Sequence, residues 1–177
     1  FFKKNMSCEQ YPPPPPPPPR RRWIIWIGLA IGCLITIGLM GFFLVPKEVE
    51  PSIYSQGQVT IRGTWGCDLD LGKETRVEDP STDFKWNMET QVIRNLRPRN
   101  GAKFHVIGAV DFNSVKYSDL KKYSYSSDPI NGNDDASNQM PQGTVIAAIT
   151  SEGRYCKFRI DTYGYNIVIS WVTYEKE

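Results

Sequence analysis

From Trp23 to Val45 the chain runs for 23 residues without a charged side chain, "WIIWIGLAIGCLITIGLMGFFLV". As a helix this stretch rises about 34 Å, enough to cross a hydrocarbon layer about 30 Å thick. A buried core helix seldom continues so long without a polar face. A cleaved secretory leader has an apolar region of only about 7 to 15 residues. No small-residue cleavage pattern follows either, since the exit reads "FFLVPKEVEP". Residues 23–45 are therefore expected to form a retained single-pass transmembrane helix acting as a signal-anchor.

The flanks orient it. Arg20, Arg21 and Arg22, with Lys3 and Lys4 behind them, stand on the amino side, whereas Lys47 on the carboxyl side is accompanied by Glu48 and Glu50. The positive-inside bias keeps residues 1–22 in the cytoplasm and places everything after the span outside the cell membrane. Trp23 and Trp26 suit the cytoplasmic interface, where an indole buries its ring and keeps its N–H hydrated. Within the span, Gly28, Gly32 and Thr36 recur at every fourth position, a small-residue stripe of the kind that supports close helix association and a homodimer through the membrane. Ahead of it, Pro12–Pro19 lack amide donors and have fixed φ, which predicts a polyproline II rod of about 25 Å. The rod reads first as a spacer and second as a ligand for an SH3-like or WW-like groove.

The charge balance differs on the two sides. Residues 1–46 hold five Lys+Arg and one acid, leaving sixteen Lys+Arg and eighteen Asp+Glu for residues 47–177. An outer part with mixed charge near −2 offers no basic footprint for nucleic acid. Residues 46–58 are polar and without clear period, and are expected to form a stalk.

Beyond the stalk the hydrophobic period becomes two. "TWGCDLDLG" alternates Trp65, Cys67, Leu69 and Leu71 with Gly66, Asp68 and Asp70. "RYCKFRID" sets Cys156, Phe158 and Ile160 against Lys157, Arg159 and Asp161. "YNIVISWVTY" alternates Tyr165, Ile167, Ile169 and Trp171 with polar or smaller residues, and the "DTYG" before it predicts a closing hairpin. With "QVTIRG", "FKWNM", "QVIRNL", "AKFHVIGAVDF" and "TVIAAIT" this makes eight expected strands, separated by turn signals such as "EDPS", "RPRNG" and "MPQG". Residues 59–177 are thus expected to form an all-β domain, a sandwich or a partly closed barrel. One short helix is expected in "SVKYSDLKKY", capped by Ser114, with Val115, Leu120 and Tyr123 facing inward.

This outer domain holds two cysteines, Cys67 and Cys156, each at an inward strand position. An oxidising compartment makes a disulfide between them the expected state, closing about 90 residues and restricting the unfolded chain by roughly 4 to 5 kcal/mol. Two ordinary buried thiols are the alternative.

Candidates for catalysis are few. His105, the chain's one histidine, falls within a predicted strand, and a lone strand histidine is usually a packed or surface residue. One histidine and two separated cysteines cannot make a zinc site. The loop from Asp128 to Asp135 does not follow the calcium-loop pattern, so neither metal nor cofactor is expected. Paired acids such as Asp68 and Asp70 would suit a glycosidase only if their environments pushed their pKa values apart. Aromatic residues are more suggestive, because Tyr and Trp need a polar partner and one small core cannot hide them all. Trp65, Trp86, Tyr163 and Tyr165 are the candidate ligand-facing residues.

The stretches "RNLRPRNGAKFHVIGAVDF" and "GTVIAAITSEGRYCKFRIDTYGYNIVISWVTY" resemble an uncharacterised family of small β-rich extracytoplasmic domains in bacterial secreted or membrane-tethered proteins. That resemblance implies a β fold outside the cytoplasm and no particular activity. The expected role is non-catalytic binding or sensing of a cell-surface glycan or protein. The alternatives are a structural subunit of an envelope complex and an envelope glycosidase.

Overall fold

The computed structural model describes residues 50–177; the expected cytoplasmic tail, the span with Gly28, Gly32 and Thr36, and residues 46–49 lie outside the described residues. Among the described residues no helix is long and apolar enough to cross a membrane.

Ten strands and one short helix follow in order: β1 (Ile53–Ile61), β2 (Gly66–Asp68), β3 (Lys73–Thr75), β4 (Phe84–Met88), β5 (Arg94–Pro98), β6 (Lys103–Ala109), α1 (Tyr117–Leu120), β7 (Ile130–Asn131), β8 (Thr144–Ile149), β9 (Tyr155–Thr162) and β10 (Ile167–Tyr174). They form two five-stranded antiparallel sheets, ordered β1-β10-β9-β8-β6 and β3-β2-β4-β5-β7. The described residues are mostly β, as their period-two stretches predict. Each of the eight expected strands is present, and the closing hairpin is β9–β10.

Side chains from both sheets meet in one core. Ile146, Ala148, Cys156, Phe158, Ile160 and Ile169 come from the first sheet, and Cys67, Phe84, Trp86 and Leu96 from the second. Phe84 stacks on Phe158 across the layers at 5.7 Å between ring centroids, and Phe104 meets Phe158 edge-on at 6.0 Å. The first sheet is covered on its other face too. Val145 and Ala147 of β8 alternate with the core set and pack with Val115, Tyr117, Leu120 and Tyr174. This two-sided burial accounts for the unbroken apolar run "TVIAAI" in β8.

Several expectations are corrected. The sheet begins at Ile53, so β1 takes the last six residues assigned to the stalk at 46–58. Most of β1 is exposed on both faces as an edge strand, so alternation cannot reveal it. Asp68 and Asp70, expected to face outward, are buried, whereas Leu71 is 56% exposed because β2 ends at Asp68 and gives way to a turn. Ser114 does not cap α1. Its hydroxyl donates to the Asp111 carbonyl, and the Lys116 N–H donates to Asp119 Oδ2 at 3.1 Å. Two strands, β3 and β7, are additional.

The expected Cys67–Cys156 disulfide is not formed: both side chains are free thiols, wholly buried. Cys67 lies on β2 of one sheet and Cys156 on β9 of the other. Each thiol instead packs in the core shared by the two sheets as a small apolar side chain. Burial pushes both thiols well above the ordinary cysteine pKa.

Candidate functional site

The turn from β1 to β2 builds one wall of a surface pocket. Trp65 N–H donates to the Arg62 carbonyl at 3.1 Å, closing a turn whose central residues are Gly63 and Thr64. A side chain at Gly63 would meet Met88 Sδ at 2.7 Å and Tyr165 Cζ at 3.0 Å. A side chain at Gly63 would thus have to displace Met88 and Tyr165, and the left-handed conformation falls on Thr64, at φ 71°. A β-branched residue is strained there. Backbone bonds then tie the turn to β4: Thr64 N–H donates to Trp86 O and Trp86 N–H to Trp65 O.

Thr64 and Trp65, with Arg76, Val77 and Glu78 from the segment after β3, line a pocket of about 310 Å³. Trp65 is half-buried, and the Arg62 guanidinium lies 3.9 Å from the centre of its ring. Arg62 is held there by Glu74, which accepts from Arg62 Nε at 2.8 Å, from Nη2 at 2.6 Å and from the backbone N–H at 2.6 Å. Partial burial works against ionisation of Glu74, but the bonds from Arg62 outweigh it and hold the carboxyl below its ordinary pKa. Tyr165, 64% exposed, lies over Gly63 beside this turn.

Of the four candidate ligand-facing aromatics, the structure brings Trp65 and Tyr165 to the surface and commits the other two to the fold. Trp86 is fully buried, and its indole N–H donates to the Tyr165 carbonyl at 3.1 Å. Tyr163 is half-buried against Trp86, and its hydroxyl donates to the Gly132 carbonyl at 2.5 Å. Both satisfy internal partners, which alternation in the sequence does not distinguish from facing a ligand. His105 stacks on Tyr123 at 4.6 Å, and its Nδ1 bonds the Ser124 carbonyl, as expected of a packed strand histidine.

A second constellation is buried. Asp68, Asp70 and Asp83 each place a carboxylate oxygen within 4.8 Å of the others. Asp68 Oδ1 accepts from the N–H groups of Asp70 and Leu71, fixing the turn after β2. Asp83 accepts from Leu69 N–H through Oδ2 and from Ser151 N–H through Oδ1, joining β2 to the β8–β9 turn. Asp70 is 4% exposed and neither of its carboxylate oxygens has a hydrogen-bond partner. Arg154 Nη1 stands 3.3 Å from Asp70 Oδ1. Burial, reinforced by the neighbouring Glu152, raises Asp70 to about 7, and burial raises Asp83 to about 6. None of the three lines the Trp65 pocket or a second pocket, of about 230 Å³, formed by residues that include Arg154, Tyr155 and Lys176.

Sequence reasoning treated Asp68 and Asp70 as an outward pair and passed over Asp83. The available signal was Asp83 in "STDFKW", an acid directly before an alternating apolar strand. Compared with known proteins, the chain matches no family model, no curated protein and no solved structure.

Proposed function

We propose that this chain is a membrane-anchored, extracytoplasmic β domain with a non-catalytic binding role, and that its ligand contact is the Trp65 pocket, with a cell-surface glycan as the ligand. The carrying observation is the half-buried Trp65, a pocket wall whose ring is steadied by Arg62 at 3.9 Å. With Arg62 over the ring and the core behind it, the indole presents its exposed edge to the pocket, while Arg76 and Glu78 supply donors and acceptors for hydroxyl groups. The placement outside the membrane is supported by the arginine cluster before the apolar run.

A non-catalytic role is supported by the chemistry around the acids. Glycosidases place two carboxyl groups on either side of a substrate in a cleft. Asp68 and Asp70 are instead buried beneath a turn and outside both pockets. The test is an oligosaccharide array probed with the full chain in lipid nanodiscs. Saturable binding that is lost in Trp65→Ala and weakened in Tyr165→Ala is the expected result. Binding that persists unchanged in Trp65→Ala, or the absence of any glycan binding, would rule the pocket out as a glycan site.

A further inference from the structure

The buried acids present a charge problem that the protein groups around them do not solve. Asp68, Asp70 and Asp83 supply three carboxylates, and the cation facing them is the Arg154 guanidinium. Three carboxyl groups face one guanidinium, and Glu152 adds a fourth acid from the exposed side. Burying unpaired carboxylates costs several kcal/mol each unless something neutralises them. The contact with Arg154 is long at 3.3 Å, and Arg154 is also engaged at 4.0 Å over the ring of Tyr54. Asp70 is nine-tenths buried, neither of its oxygens has a hydrogen-bond partner, and one of them lies within 4.8 Å of an oxygen from each of the other two carboxylates.

We propose that this cluster binds one divalent cation, with calcium the best match. Calcium takes oxygen ligands at about 2.3 to 2.6 Å in a flexible geometry, so one ion can bridge oxygens separated by up to about 5 Å, whereas magnesium requires shorter and more regular contacts. Asp70 is the principal ligand, because neither of its oxygens accepts a hydrogen bond and only Oδ1 is approached by Arg154. Asp68 and Asp83 keep their backbone hydrogen bonds and contribute remaining lone pairs. The ion would join the turn after β2 to the entry of β4, and Asp83 already carries the Ser151 N–H of the β8–β9 turn.

The test uses the full chain without any glycan, so its outcome is independent of the pocket reading. Thermal unfolding is followed in EDTA and then across a CaCl₂ titration, with MgCl₂ and NaCl at matched ionic strength. The expected result is a saturable rise in Tm with calcium, half-complete at or below about 10⁻³ M as for extracellular calcium modules, and a smaller rise with magnesium. Asp70→Asn is expected to lose the calcium-dependent rise while matching or exceeding the wild-type Tm in EDTA, since it removes a buried unpaired charge.

A second readout does not depend on that variant folding. Trp171 packs directly against Gly72, two residues from Asp70. Tb³⁺ bound at the cluster should therefore luminesce on indole excitation and be displaced by calcium, with Trp171→Phe dimming the emission. Absence of both a calcium-dependent Tm rise and sensitised Tb³⁺ emission in the wild type would overturn the proposal, as would an equal calcium response in Asp70→Asn.

Discussion

At Thr64 the local conflict is visible in two neighbouring residues. The turn needs a positive φ at its second central position, yet the glycine sits at the first, where Tyr165 and Met88 crowd the backbone. Asn tolerates the left-handed region better than a β-branched residue. Thr64→Asn is therefore expected to stabilise the domain by about 1 kcal/mol, read from the urea midpoint, and to leave the pocket intact. Gly72 shows the opposite situation. Its φ is +59° and an added Cβ would lie 1.7 Å from Trp171 Cζ2, so Gly72→Ala combines backbone strain with a clash against a buried ring. A loss of about 2 to 4 kcal/mol is expected, against about 1 kcal/mol for Gly101→Ala, where φ is +89° but nothing lies within 4 Å. Little of this was legible in advance. "TWGCDLDLG" shows the same alternation whether Trp65 faces a pocket or a core, and whether Asp68 faces water or caps a buried turn. The difference depends on β2 ending after three residues, which no periodicity predicts.

Strand β9 shows what alternation does and does not reveal at the level of an element. Cys156, Phe158 and Ile160 face the core as their spacing predicts. The residues between them are not simply solvated. Lys157 is 6% exposed, and its Nζ donates to the carbonyls of Phe112 at 2.8 Å and Val115 at 2.7 Å, holding the segment before α1 on the outer face of the sheet. Lys157→Ala strands both carbonyls and is expected to cost about 2 kcal/mol or more, with hydrogen exchange accelerated first around Phe112–Leu120. One residue beyond Ile160, Asp161 accepts from Gln58 on β1, Arg159 on β9 and Ser170 on β10. Burial would raise its pKa, but these three donors outweigh burial and lower it. A carboxylate whose folded pKa lies below its unfolded value stabilises the fold above the unfolded value, about 3.9, and loses that contribution as pH falls through the folded one. Unfolding midpoints at pH 6 and pH 3 should accordingly differ more in the wild type than in Asp161→Asn, and an equal difference would exclude this network as an acid-sensitive tie. Strands β3 and β7 escaped sequence reading because three and two residues carry no period. The first half of β1 escaped because an edge strand exposed on both faces has no inward set.

Across the described residues, both hydrophobic clusters and all ten strands fall between Ile53 and Tyr174, so the burial needed for folding is contained in that stretch. Three of the four sheet ends, all but β1, are guarded in ways that disfavour edge-to-edge pairing. β3 and β7 are short, β6 carries a register shift between Val106 and Gly108, and Phe104 of β6 bridges to Ser126. A fragment of residues 50–177 is therefore expected to fold cooperatively as a monomer, and the two thiols provide the means of checking. Each is wholly buried and each contributes to the single core shared by the two sheets. Because burial raises their pKa values as well as hiding them, neither should react with iodoacetamide in native buffer. Both should label together, at a rate that follows global unfolding as urea is raised, and mass measurement should count two alkylated thiols per chain after full denaturation without reductant. Labelling of one thiol ahead of the other in native buffer would mean that one sheet opens independently. A denatured mass showing no free thiol would restore the cross-link between the layers.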